Sequence, residues 1–249
     1  MLNSANLAPH ERWWLTLSSP QIGFQTELRD YLKPTSLIDG IPEDDDVGEG
    51  WGISDRLGLH RQIIRLANGN THGGWFYQDY CRFFCQLPSQ WQAIRDSQTS
   101  PKYQAQLDFV AETAPYIGSG GIHAWDYGRA AFLVREGLRL GWVSDEEFAF
   151  IHNYLSHQAR RHYNSWLQYT QAWYAGRSIW LLSLQEDDTP EVAAALLTGW
   201  IAKDTRNRFR NTLNDTRNPI HGQGWHDVAL PDIEAPESLT KLLDNDTQE

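Results

Sequence analysis

The chain has 249 residues, 41% of them hydrophobic and 21% charged, with 32 acidic against 21 basic side chains and a formal net charge of -11. That length can bury a sizeable core, while the acidic balance argues against sequence-independent binding to nucleic acid and favours a basic protein partner. The longest apolar run, Val192 to Leu197, is far short of the roughly 20 residues of a membrane span, and Met1 is followed by neither a basic nor an apolar stretch, so a cytoplasmic protein without membrane attachment is expected.

Residues 9–33 hold one or two helical stretches, broken at Ser18-Ser19-Pro20 and ended by Lys33-Pro34, because the residue before a proline is pushed out of the helical region. Glu43, Asp44, Asp45, Asp46 and Glu49 then crowd one loop. Their mutual repulsion makes a solvated segment, with contact to a basic partner as its other use. From Trp51 to about Ala67 the positions Ile53, Leu57, Leu59, Ile63, Ile64 and Leu66 fit an amphipathic helix, stopped by Asn68-Gly69-Asn70. Another helix runs from about Gly74 to Leu87 and carries Cys81 and Cys85. Thiols one helical turn apart are poorly oriented for a disulfide, so both are expected as reduced core residues. Ser100-Pro101 and Thr189-Pro190 each combine an N-cap with a first-turn proline, starting a helix to about Thr113 and another near residue 190.

Between Ala124 and Leu140 apolar positions wrap most of the circumference, which predicts a helix buried by its neighbours. Gly141 stops it, and Ser144 with Glu147 forms a capping box for the next helix. Phe148, Ile151, Leu155, Ala159 and His162 give that helix its buried stripe, and Trp166, Thr170, Trp173, Arg177 and Trp180 form a single seam on a third. No segment alternates with a period of two. The expected fold is all-α: one globular multi-helix domain over 1–224 with an irregular acidic loop, then a peripheral acidic segment over 225–249.

Asp126 and Arg129, three apart on one helix, are expected to form a partly buried ion pair that fixes register. Arg177 lies within a turn of Trp173 and Trp180, a spacing that suits guanidinium stacking on indole. The alternative is a tryptophan-lined pocket in which Asp126, Arg129, Trp173 and Arg177 hold a small anion, with His123 or His226 carrying a proton. His152, His157 and His162 are five apart in succession. Each is rotated about 140° from the last, so one helix cannot offer them to one metal. No metal and no cofactor is expected. The glycine-rich loop from His221 to Asp227 is a surface turn, or else a mobile lid. G-x-S-x-G, H-E-x-x-H and phosphate-loop patterns are missing. The basic cluster from Lys203 to Arg210 fits a solvated helix face better than a nucleic-acid site.

Trp51-Gly52-Ile53 before a helix, Trp125-Asp126 with Arg129, Gly141-Trp142-Val143-Ser144 with Glu146-Glu147, and Ser165-Trp166 with Gly176-Arg177 and Trp180 together resemble a bacterial family of unknown function. It is domain of unknown function twelve sixty-six, typified by the enterobacterial YbeU and YbeR proteins, and the similarity covers roughly residues 50–200. The resemblance implies a helical intracellular domain and brings no established activity. The expectation is a non-catalytic protein-interaction module, by analogy with immunity and antitoxin proteins, that meets a basic partner through Glu43 to Asp46 and Glu49. The competing expectation is an enzyme or small-anion binder built on the tryptophan-lined pocket.

Overall fold

The computed structural model describes residues 6–24, 30–35 and 48–240, and among them there are helices and turns but no strand. The fold class is all-α. No helix among the described residues is long and apolar enough to cross a membrane. The chain divides into two units: residues 1–68, 127–158 and 216–249 make the first, residues 69–126 and 159–215 the second.

The first unit takes α1 (Pro9–Thr16), α2 (Ser19–Phe24), α3 (Gly48–Trp51) and α4 (Arg56–Ala67), most of α8 (His123–Arg139) and α9 (Asp145–His162), and the C-terminal stretch. The helix expected from Trp51 begins instead at Arg56. Gly52 sits at φ 66°, outside the right-handed region, and Asp55 caps the new start by accepting from the Gly58 N–H at 2.7 Å. Trp13 of α1 is fully buried and donates its indole N–H to the Trp225 carbonyl at 3.1 Å, with the two rings 5.0 Å apart. Trp225 and Leu239 are therefore core residues of this unit, although their stretch looks acidic and peripheral as sequence. Asn153 reaches the same stretch, donating to the Pro231 carbonyl at 2.9 Å.

Two charged side chains organise this unit. The capping box at the start of α9 forms, with the Ser144 N–H donating to Glu147 Oε2 at 2.9 Å and the Glu147 N–H to Ser144 Oγ at 3.2 Å. The same fully buried carboxylate accepts Arg56 Nη2 at 2.6 Å and Nη1 at 3.0 Å from α4, and the Ser238 hydroxyl at 2.6 Å. Arg56 also reaches the Trp142 carbonyl, which lies 3.2 Å from His60 Nε2. Burial alone would raise the carboxyl's pKa, but the hydrogen bonds from Arg56, Ser238 and Ser144 prevail and hold it at about 2. Arg135 of α8 is also fully buried, and its guanidinium donates to Ser18 Oγ at 2.9 Å and to the carbonyls of Asp30, Tyr31 and Lys33. Desolvation lowers its pKa to about 9, against the opposing pull of Asp30 and Glu136.

The second unit is built on α5 (His72–Phe84), α6 (Pro88–Asp96), α7 (Pro101–Ile117), α10 (Trp166–Ser183), α11 (Pro190–Leu197) and α12 (Trp200–Asn214). α10 packs on α7, α11 and α12. It is buried on nearly every side, from Tyr169 through Ala172 to Ile179, and not along one seam as its tryptophan spacing suggests. Small residues make this approach feasible: a Cβ on Gly176 would fall 2.3 Å from Cβ of Trp125. Trp125 and Trp173 meet edge to face at 4.8 Å. α6 is set by Pro88 at its first turn and by Gln90, whose side chain accepts from the Leu87 N–H at 2.9 Å. α7 runs on past Thr113 and through Pro115 to buried Ile117. Cys81 and Cys85 are free thiols, but neither is a core residue: Cys81 is only half-buried and Cys85 is exposed at the end of α5.

Replacing Glu147 by alanine strands the donors of Arg56, Ser144 and Ser238, and urea unfolding should show a loss of about 2–4 kcal/mol. In the parent chain the carboxyl's folded pKa lies below its ordinary 4.5. Its contribution is therefore present above that value and lost as the pH falls toward about 2. Unfolding monitored between those values should show the decline, and the Glu147→Ala variant a flatter profile.

Candidate functional site

The residues singled out by sequence are distributed over both units. Asp126 is the last residue of its segment of the second unit, and Arg129 lies in the first. Asp126 is fully buried and accepts the Gly73 N–H at 2.7 Å, whereas the Arg129 guanidinium stacks over Trp51, 4.4 Å from the ring centroid. Arg177 pairs with Asp204 of α12 at 2.7 Å, and Asp204 also accepts from Arg208 at 2.9 Å. Burial opposes ionisation of Asp204, but the hydrogen bonds from Arg208 and Arg177 outweigh it and keep the pKa low. Trp173 is fully buried between Trp125 and Tyr174. His226 is exposed and belongs to the first unit. Glu43, Asp44, Asp45 and Asp46 lie outside the described residues, as does the side chain of Glu49.

His123 opens α8 in the second unit, and its ring lies 4.7 Å from that of His162 and 5.1 Å from that of Tyr77. Burial first, then the neighbouring His162, lowers the His123 pKa to about 4. Burial and Arg161 lower that of His162 too. Gly73 closes the cluster: a Cβ there would lie 2.6 Å from Asp126 Oδ2 and 2.8 Å from His123 Nδ1. The Tyr163 hydroxyl holds the turn before α8, donating to the Gly121 carbonyl and accepting from the Ala124 N–H. This is a tightly packed joint between the starts of α5 and α8, with its imidazoles neutral at pH 7.

Two cavities stand apart from these residues. One, of about 250 Å³ in the first unit, is walled almost wholly by apolar groups, including Ile63, Ile151 and Leu239. The other, of about 240 Å³ in the second unit, combines an apolar interior with polar groups and is the candidate site. α7 supplies Phe109 and Tyr116, α10 Tyr174 and Ala175, α11 Leu196, and α12 Phe209. Glu112, Gln171 and Arg206 also line it. Sequence reasoning took the helix around Lys203–Arg210 as a solvated face and missed this site. Its signal was Ala202, Thr205 and Phe209, spaced three and four apart among the charges.

Comparison with known proteins bears on the whole arrangement. The family model described as "Protein of unknown function (DUF1266)" matches residues 46–226, which include every residue lining the candidate cavity. The chain is 37% identical over 145 residues to "Uncharacterized protein YbeR" of Escherichia coli (strain K12), and 32% identical over 144 residues to "Uncharacterized protein YbeU" of the same organism. Each alignment covers 58% of this chain and 60% of the relative, so the chain spans under two thirds of the length of the curated relatives it matches. No solved structure matches.

Gly73→Ala forces a methyl group into the Asp126 carboxylate and the His123 ring, and should cost about 1–3 kcal/mol in thermal or urea unfolding. His123 itself should titrate near pH 4 by ring-proton NMR. Its folded value lies below the ordinary 6.5, so the folded chain binds fewer protons there, and this contribution to stability is lost as the pH falls from 6.5 to about 4.

Proposed function

This chain belongs to the DUF1266 family, whose function is unknown, and from that premise we propose that its second unit binds a small amphipathic molecule. One observation carries the reading: the open cleft of about 240 Å³ that four helices line with aromatic and aliphatic side chains. A sealed apolar cavity of about 150 Å³ takes up benzene, and this larger, open cleft has room for a substituted or fused ring with its polar end in solvent. The small-ligand alternative drawn from the sequence is kept, with its pocket moved. Trp173, Arg129 and Arg177 line neither cavity, and the cavity between α7, α10, α11 and α12 takes their place.

A protein-interaction role is supported by a different observation. Trp75 on α5 is 63% exposed and Leu87 just beyond it 65%, apolar surface of the kind a partner covers. In this second reading the acidic residues Glu43 to Asp46 and Glu49 draw in a basic partner, as in immunity proteins, in the cytoplasm. Capture of a partner that is indifferent both to salt and to replacement of Asp44, Asp45 and Asp46 by asparagine removes it.

The cavity is tested with indole as a probe, followed by saturation-transfer NMR. Indole should bind the parent chain, and Ala202→Phe, which fills the cavity from α12, should abolish the signal while the melting temperature is maintained. Undiminished binding of indole to Ala202→Phe overturns the reading.

A further inference from the structure

The polar groups around the cavity of the second unit fall into two sets. Those in its interior are already satisfied by the protein. Thr113 donates to the Phe109 carbonyl at 2.7 Å and meets the Tyr80 hydroxyl at 2.9 Å. Ser178 and Thr205 share a hydrogen bond of 2.8 Å, and the Tyr174 hydroxyl is 2.6 Å from Thr212 Oγ1. The second set is Glu112 on α7, Gln171 on α10 and Arg206 on α12, whose side chains make no hydrogen bond or ion pair among the described residues. Glu112 and Arg206 are both exposed. They present opposite charges to one cavity from different walls and do not neutralise each other.

Resting on the reading of this cavity as a ligand site, we infer that its ligand is a small zwitterion, a free α-amino acid with an aromatic or branched apolar side chain. The carboxylate goes to Arg206, which can hold it with two parallel N–H donors, and the ammonium group goes to Glu112. The side chain enters the cavity among Phe109, Tyr174, Leu196 and Phe209. A ligand of single charge satisfies one rim group and is repelled by the other, so a rim of this kind discriminates by charge pattern as well as by shape. The net charge of -11 adds to the argument. It opposes the approach of an anion, whereas a molecule with no net charge does not feel that long-range repulsion.

Three probes decide the matter by calorimetric titration of the full chain: L-phenylalanine, 3-phenylpropionate, which lacks the ammonium, and 2-phenylethylamine, which lacks the carboxylate. Phenylalanine should bind at least about tenfold more tightly than either analogue. Glu112→Gln should weaken phenylalanine about tenfold and leave 3-phenylpropionate unchanged or tighter, and Arg206→Gln should weaken phenylalanine and spare 2-phenylethylamine. Both residues are exposed, so these variants keep the fold. Binding of either singly charged analogue as tightly as phenylalanine overturns the zwitterion and leaves the cavity as a ligand site. No binding of any of the three to folded protein overturns it as well, and the indole experiment on Ala202→Phe then decides separately whether the cavity binds at all.

Discussion

Glu147 stays ionised inside the first unit because donors converge on it from separate stretches of the chain: Arg56 at the start of α4, Ser144 at the turn before α9, and Ser238 near the end of the described residues. A carboxylate taken out of water is costly, and only donors fixed in place repay that cost. The interaction is therefore conditional in both directions. Without the donors the charge is untenable, and without the charge the Arg56 fork, the α9 cap and the C-terminal stretch lose their common acceptor. Arg135 solves the opposite problem with other means. Its cation is fully buried, and the acceptors it reaches are the Ser18 hydroxyl and main-chain carbonyls at residues 30–33, so it ties down a non-helical segment through its backbone.

The second unit depends on size more than on charge. α10 is buried around its circumference, and the glycine at position 176 lets Trp125 approach its backbone. Where α10 and α12 face α7, the side chains shrink to Ala175, Ser178 and Ala202, and the cavity opens there. Packing elsewhere in the unit is dense with indole and phenol rings, including Trp173 and Tyr169, both fully buried. The cavity is thus a locally under-filled patch within dense aromatic packing.

Much of the local structure was legible in the sequence, because it is written in local chemistry. The Ser144–Glu147 box and the Ser100 and Thr189 caps depend on neighbours within a turn, and the burial of α8 is announced by its own apolar residues. What was not legible depends on distance along the chain. Nothing near Glu147 announces Arg56 or Ser238, and nothing near Trp225 announces Trp13. Asp126 also accepts from Gly73 and Arg129 stacks on Trp51, contacts that no spacing in the sequence announces. The candidate cavity was hidden for a related reason: its lining comes from four helices, each contributing a few ordinary apolar residues, and only their convergence makes a site.

The discontinuous make-up of the two units sets an order for synthesis on the ribosome. Residues 69–126 and 159–215 complete the second unit before the first receives its last segment. Trp13 must wait for Trp225, a separation of 212 residues. At bacterial elongation rates of about 5–20 residues per second, that is roughly 10–40 s. During that interval Trp13 lacks its contact with Trp225, while both segments of the second unit have already been made. The first unit is therefore the later of the two to be completed, its core closed only by the stretch around Trp225.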